Sequence, residues 1–247
     1  MSRTRMVTQF GMGTSIRSQN YTEAAARGIR DALWHNSLNV ADAFGFPKEA
    51  MLIEVEIGVQ QPDKVDSDAL LGIFPYGQPS VKVVKGGLDV AKPDGSGVSV
   101  IANVALIVSF DMLASGTPPS VRRSGMSEQR IILEMGTGND LYGEDYTKAA
   151  CRAVQDALHH SSIVLFQSLG IDHRQMRVEV TIGVQTPEAV DVDAVTRELP
   201  RGRAEVTVVH GGLNVHDEAN GQTHVIASAA IAAMLEIEHD DWQLCSP

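Results

Sequence analysis

The stretch Met135–Ser162, MGTGNDLYGEDYTKAACRAVQDALHHSS, is written twice in this chain of 247 residues. A worn copy runs Phe10–Ser37, FGMGTSIRSQNYTEAAARGIRDALWHNS. Tyr21-Thr22 answers Tyr146-Thr147, Arg27 answers Arg152, and Asp31-Ala32-Leu33 answers Asp156-Ala157-Leu158. The offset, from Tyr21 to Tyr146, is 125 residues. It holds at Ile57-Gly58-Val59-Gln60 against Ile182-Gly183-Val184-Gln185, and at Val100-Ile101-Ala102 against Val225-Ile226-Ala227. Self-similarity at one fixed offset marks a tandem duplication.

Outward from that stretch, each copy predicts the same element order. A short strand (Met6–Phe10; Ile131–Met135) enters the glycine-bearing passage. A helix follows, with Ala25, Ile29, Ala32 and Leu33 recurring at helical spacing. Met51–Gln60 alternates apolar and polar residues as a half-buried strand does. Asp66–Phe74 reads as a short helix. Val81–Val90 reads as a strand interrupted by Gly86-Gly87, and Asp94-Gly95 as a hairpin turn. Val98–Phe110 is nearly all apolar and reads as buried on both faces. The expected architecture is α+β: two tandem β-α-β-β-β repeats, each a two-layer unit of helix on sheet, related by a pseudo-twofold. The first repeat spans 1–112, a polar linker 113–129, and the second repeat 130–247 with a loosely ordered tail from His239.

Charge is uneven. Net charge is −11 overall. The first repeat carries −2, the linker +1, and the second repeat −10. That balance argues against a nucleic-acid partner, which needs clustered Lys and Arg. No apolar run is long enough to span a membrane, and the N-terminus lacks a secretory segment, so a cytoplasmic protein is expected. Cys151 and Cys245 supply no disulfide framework; Cys151 reads as a small buried residue.

The candidate site is the glycine passage. If Gly136, Gly138 and Gly143 form a turn ahead of a helix N-terminus, their N–H groups make an anion-holding nest. Thr147, Lys148 and Arg152 then line it as ligand-binding groups, with Asp140 as base or orienting acceptor. Gly11, Gly13 and Arg27 are the first repeat's remnants of that frame. Asp140 is Ser15 there, Tyr142 is Arg17, and Lys148 is Glu23, so a shared site is asymmetric. Arg27/Asp31 and Arg152/Asp156 also read as ion pairs one helical turn apart. His35 and His160 sit at helix ends, where imidazole favours the dipole. His210, His216 and His224 surround the second hairpin without a recognisable metal spacing. Ser228 becomes a nucleophile if Lys85 or Lys148 lies beside it as base. No cofactor is implied. A small-molecule ligand and self-association are the expected partners.

The motif Gly136-Thr-Gly138-Asn-Asp140-Leu-Tyr142-Gly143, followed by Asp145-Tyr-Thr-Lys-Ala-Ala-Cys-Arg152, resembles an uncharacterised Lin-type conserved hypothetical family. That family is marked by G-x-G-x-D-x-H-G and a T-K-A-A-x-R-A helix. Both repeats look like full copies. The second has Tyr142 where the family has His, and the first keeps only the two glycines. The family carries no settled activity. The YT-x-x-A-x-A helices are also similar, more loosely, to those of ring-opening amidohydrolases such as cyanuric acid hydrolase and barbiturase. Those have three units and Ser/Lys pairs at the centre. This second resemblance implies a hydrolase of a small cyclic amide or imide, with a Ser/Lys pair drawn from Ser228 and Lys148, and a trimer; Asp140 joins them as a catalytic candidate from its place in the glycine passage. The alternative is a non-catalytic anion-binding or assembly protein of the same architecture.

Overall fold

The computed structural model describes residues 3–115 and 128–245. Residues 116–127, the middle of the expected linker, lie outside the described residues. The first repeat runs β1 (Arg3–Ser15), α1 (Tyr21–Trp34), β2 (Asn36–Leu38), α2 (Val40–Ala43), β3 (Leu52–Val59), α3 (Ser67–Leu71), β4 (Gln78–Lys85), β5 (Leu88–Ala91) and β6 (Val98–Ala114). The second repeats this order as β7 (Glu128–Asp140), α4 (Tyr146–His159), β8 (Ser161–Ile163), α5 (Leu165–Leu169), β9 (Arg177–Val184), α6 (Val192–Arg197), β10 (Arg203–His210), β11 (Leu213–Asp217) and β12 (Gln222–Glu236). β13 (Trp242–Leu244) closes the chain. The duplicated α+β architecture stands, and the strands β6 and β7 reach into the two ends of the stretch first read as linker.

Each repeat folds around one long central strand. β6 pairs antiparallel with β1 and with β3, and β4 runs parallel beside β3, because α3 carries the chain back over the sheet. β12 holds β7, β9 and β10 in the same order. On β6, Val100, Ala102, Val104, Leu106 and Val108 are buried, under α1. The other face of β6 carries exposed Asn103 and half-buried Ala105 and Ile107, so this strand is buried on one face, not both.

The strand read across Gly86-Gly87 is two strands. β4 ends there, and β5 moves to pair with β6. Gly87 has φ +57, and a Cβ on it would meet the Ile101 carbonyl at 2.3 Å. Gln60 donates from Nε2 to the Gly86 and Gly87 carbonyls at 3.0 and 3.2 Å. Gln185 does the same for Gly211 and Gly212 at 2.9 and 3.3 Å. The repeated Ile-Gly-Val-Gln and Gly-Gly motifs are therefore one crossover device: glycine faces glycine and a glutamine ties the bend.

The repeats join by exchanging edge strands. β2, which follows α1, pairs with β7 of the second repeat. β8, which follows α4, pairs with β1 of the first. The C-terminal tail also crosses. β13 pairs with Met112–Ala114 of β6, Trp242 packs edge-on against Phe44, and Cys245 N–H donates to the Asp111 carbonyl at 2.8 Å. The tail read as loose is docked by this pairing. Among the described residues no helix is long and apolar enough to cross a membrane.

Candidate functional site

Gly136 and Gly138 lie within β7, and Gly11 and Gly13 within β1, not in a turn. Their backbones are extended, and none has a positive φ. They are glycines because the helix lies almost on the strand. A Cβ on Gly138 would meet Ala153 N at 2.2 Å and Ala149 O at 2.3 Å. One on Gly136 would meet Ala157 N at 2.4 Å, and Gly11 and Gly13 face Ala32, Gly28 and Ala24 equally closely. The expected anion nest is not formed by these residues. The true turn is Leu141–Asp145, where Gly143 has φ +127 and Glu144 φ +52.

Helix side chains cap the free edge of the strand beneath them. The Met12 N–H donates to Asp31 Oδ2 at 2.9 Å, and Arg27 Nη1 donates to the Thr14 carbonyl at 2.6 Å. The second repeat reproduces both: Thr137 N–H to Asp156 at 2.9 Å and Arg152 to the Asn139 carbonyl at 2.6 Å. The Arg–Asp pairs are not ion pairs with each other. They satisfy backbone groups that a sheet edge leaves open. Thr147 is equally committed: its Oγ1 accepts from Asp191 N–H at 2.9 Å, as Thr22 does from Asp66.

Asp140 is buried, with its side chain 2 % exposed. Lys148 Nζ approaches it at 2.7 Å and Arg152 at 3.8 Å, and it accepts from Asp145 N–H at 3.2 Å. The hydrogen bond from Lys148 holds its carboxyl below the usual carboxylate range, despite burial. In the first repeat Ser15 Oγ accepts the matching bond from Asn20 N–H at 3.1 Å. Two different residues thus do one job, tying the turn to the helix start. A base poised for proton transfer would have its pKa raised toward neutrality, and this one moves the other way.

The concave space lies elsewhere on the same strand. A cavity of about 680 Å³ opens where the end of α1 overhangs the sheet of the second repeat. Its floor is nearly bare of side chains: Gly136, Gly183, Gly211, Gly212, Ala229 and Ala230. Thr137, Thr181 and Ser228 place hydroxyls among them, and Met135 and Val209 add apolar wall. Trp34 and His35 come from the first repeat, and Trp34 is 76 % exposed. His210 also lines the cavity. In the first repeat the residues at matching positions are Phe10, Met12, Glu56, Lys85 and Asn103, in place of Met135, Thr137, Thr181, His210 and Ser228.

His35 and His160 meet at the junction. Their rings stack, centroids 3.6 Å apart and planes within 2°. Asp31 Oδ1 lies 3.2 Å from His35 Nε2, and Asp156 Oδ1 lies 3.4 Å from His160 Nε2. Their carbonyls accept Met135 N–H and Phe10 N–H, at 2.7 and 2.8 Å. Reading them as helix-end histidines missed that they join the repeats. The signal was present, as Asp-x-x-x-His at both copies of the helix.

The expected set therefore divides. Gly136 and Ser228 line the cavity; Asp140, Lys148, Gly143, Thr147 and Arg152 do not. No lysine lines it, so the Ser228–lysine pair is not formed: Lys148 is spent on Asp140, and Lys85 ends β4 in the other sheet. His216 and His224 hold local partners, Thr223 Oγ1 at 3.1 Å and the Leu141 carbonyl at 2.7 Å. Among the described residues no group of three or more His, Cys, Asp or Glu converges as metal ligands would. Cys151 is half-buried, and burial pushes its thiol up, away from thiolate chemistry.

Fold and site together define a fused pair of α+β repeats with a ligand-sized cavity at their junction. The chain belongs to the family of conserved hypothetical proteins designated Lin0512_fam, whose profile matches residues 5–108 and again 130–233. It is also similar to a protein from Nostoc punctiforme described as FtsZ-like and of unknown function, solved at 1.22 Å resolution. The identity is 31 %, covering 44 % of this chain and 98 % of that one, with a TM-score of 0.42. No curated protein matches the chain.

Proposed function

We propose that this protein binds a small, flat, polar ring compound in the junction cavity, without covalent chemistry. The observation that carries this reading is the pairing of an exposed Trp34 ring with a floor of glycine and alanine backbone. Such a floor lets a planar ligand lie close, and an indole offers a stacking face. The hydroxyls of Thr137, Thr181 and Ser228, with His35 and His210, supply donors and acceptors at the ring's edge. Barbituric and cyanuric acids are suitable probes, titrated against intrinsic tryptophan fluorescence. Saturable quenching that disappears in Trp34→Ala supports the reading. Absence of saturation, or unchanged quenching in Trp34→Ala, ends it.

A hydrolase of cyclic amides is the second reading. Its favouring observation is that Ser228 shares the cavity with His35, which Asp31 orients at 3.2 Å. Loss of the probe's ring absorbance on incubation, abolished in Ser228→Ala with binding retained, would establish turnover. Self-association belongs to the same proposal. Val84, Leu88 and Val90 are exposed, and so are their counterparts Val209, Leu213 and Val215. Apolar residues kept outside in both repeats suit burial against further copies in a trimer. Sedimentation as a concentration-independent monomer would end that part.

A further inference from the structure

Each repeat has a second cavity, between its sheet and the segment that follows its long helix. The first measures about 160 Å³ and the second about 320 Å³. All ten residues lining the smaller one have their 125-residue counterparts in the lining of the larger. They are one pocket made twice, and the two copies have diverged in a consistent direction. Ile53 becomes Val178, Asn36 becomes Ser161, Tyr76 becomes Arg201 and Val108 becomes Ala233. Three of these changes remove volume from the wall. The fourth exchanges a ring for a flexible, exposed side chain at the rim.

The polar groups diverge too. In the first repeat Gln9 Nε2 donates to Asn36 Oδ1 at 2.6 Å, and Asn36 Nδ2 donates to the Ala32 carbonyl at 3.0 Å. That amide pair is neutral and satisfies itself. In the second repeat Glu134 replaces Gln9. Ser161 Oγ donates to its Oε1, while its Oε2 is buried without a hydrogen-bond partner. Glu134 is 5 % exposed and lines the enlarged cavity. Arg201 forms no ion pair with it among the described residues. A lone buried carboxyl oxygen is costly unless something donates to it.

We infer that the second repeat's enlarged cavity is a binding site for a small apolar amine, whose ammonium head completes Glu134 and whose hydrocarbon body fills the walls. A cation is the donor that best offsets a carboxylate in an apolar surround. Leu158, Ile163, Phe166, Met176 and Ile231 supply the apolar surface. A volume near 320 Å³ suits an alkylamine or arylmethylamine.

The test titrates benzylamine into the full chain at about pH 8, where glutamate is ionised, followed by heteronuclear NMR. Ethylbenzene serves as the neutral isostere. Saturable shifts at Ser161 and Ala233 are expected with benzylamine, and affinity at least about tenfold weaker in Glu134→Gln, the loss expected of one charge-assisted hydrogen bond. The triple change Glu134→Gln, Ser161→Asn, Ala233→Val installs residues that the first repeat already tolerates, and should abolish binding in a folded protein. Equal affinity in wild type and Glu134→Gln overturns the inference. So does ethylbenzene binding as tightly as benzylamine, or no saturation at all.

Discussion

Replacing Glu134 by Gln should make the protein more stable above neutrality and leave it unchanged in acid. Burial pushes the Glu134 carboxyl from 4.5 up to about 7, with the Ser161 hydrogen bond opposing. The folded protein therefore prefers the protonated form. The stability this confers is fully present below about pH 4.5, declines as pH rises, and is gone above about 7. The difference corresponds to about 3 kcal/mol. Gln imitates the protonated acid at every pH and occupies the same place, as Gln9, in the first repeat. Urea melts of wild type and variant should coincide near pH 4.5 and separate by about 3 kcal/mol at pH 8. In thermal melts that is a rise of about 6–12 °C for a chain of this size. Other titrating groups are common to both proteins and cancel in the difference. Parallel pH profiles would refute the reasoning, because Glu134 would then titrate as an ordinary exposed glutamate.

Two further outcomes follow from the packing. Gly138→Ala should cost about 3 kcal/mol or more in chemical denaturation, since its Cβ meets helix backbone that can yield only by moving α4; Gly72→Ala, with nothing within 4 Å, should stay within about 0.5 kcal/mol. Asp140→Ser should cost less than about 1 kcal/mol by the same assay, because Ser15 already makes the matching bond in the first repeat, whereas Asp140→Ala should cost about 1–2 kcal/mol more by leaving Asp145 N–H without its acceptor.

The repeat, the long helices and the main strands were legible because their signals are local: a fixed offset, a 3.6 period, a two-residue alternation. The Gly-Gly interruption was legible as a bend, though not as a change of partner strand. Gly136 and Gly138 misled because a Gly-x-Gly passage before a helix ordinarily marks a turn. The cause of these glycines sits at Ala149, Ala153 and Ala157, and the clash appears only when helix and strand are docked. Asp140 likewise looked chemical because an acid between glycines has no obvious structural duty. Its duty lies five residues on, at Asp145 N–H. Glu134 was invisible as a buried group, since its strand is polar at both ends and the residues that enclose it come from five other elements. The exchange of β2 and β8 could not be read from three residues apiece. Their partners are chosen by geometry between repeats, not by pattern within one.

That exchange bears on how such a chain arose. One repeat alone would leave β1 paired with β6 on one side only and hold a short strand with nothing to pair. A lone ancestral unit could satisfy both only by lending its strand to an identical copy and receiving one back. Joining two units in one chain turns that bimolecular partnership into an intramolecular one, fixed at a high effective concentration and indifferent to dilution. It also frees the halves from identity. In a dimer of equal subunits every substitution appears twice, once in each pocket. Here Gln9 remains an amide while Glu134 carries an acid, and Trp34 overhangs one sheet while His159 stands at its counterpart's place. The covalent link is what makes one-sided innovation heritable.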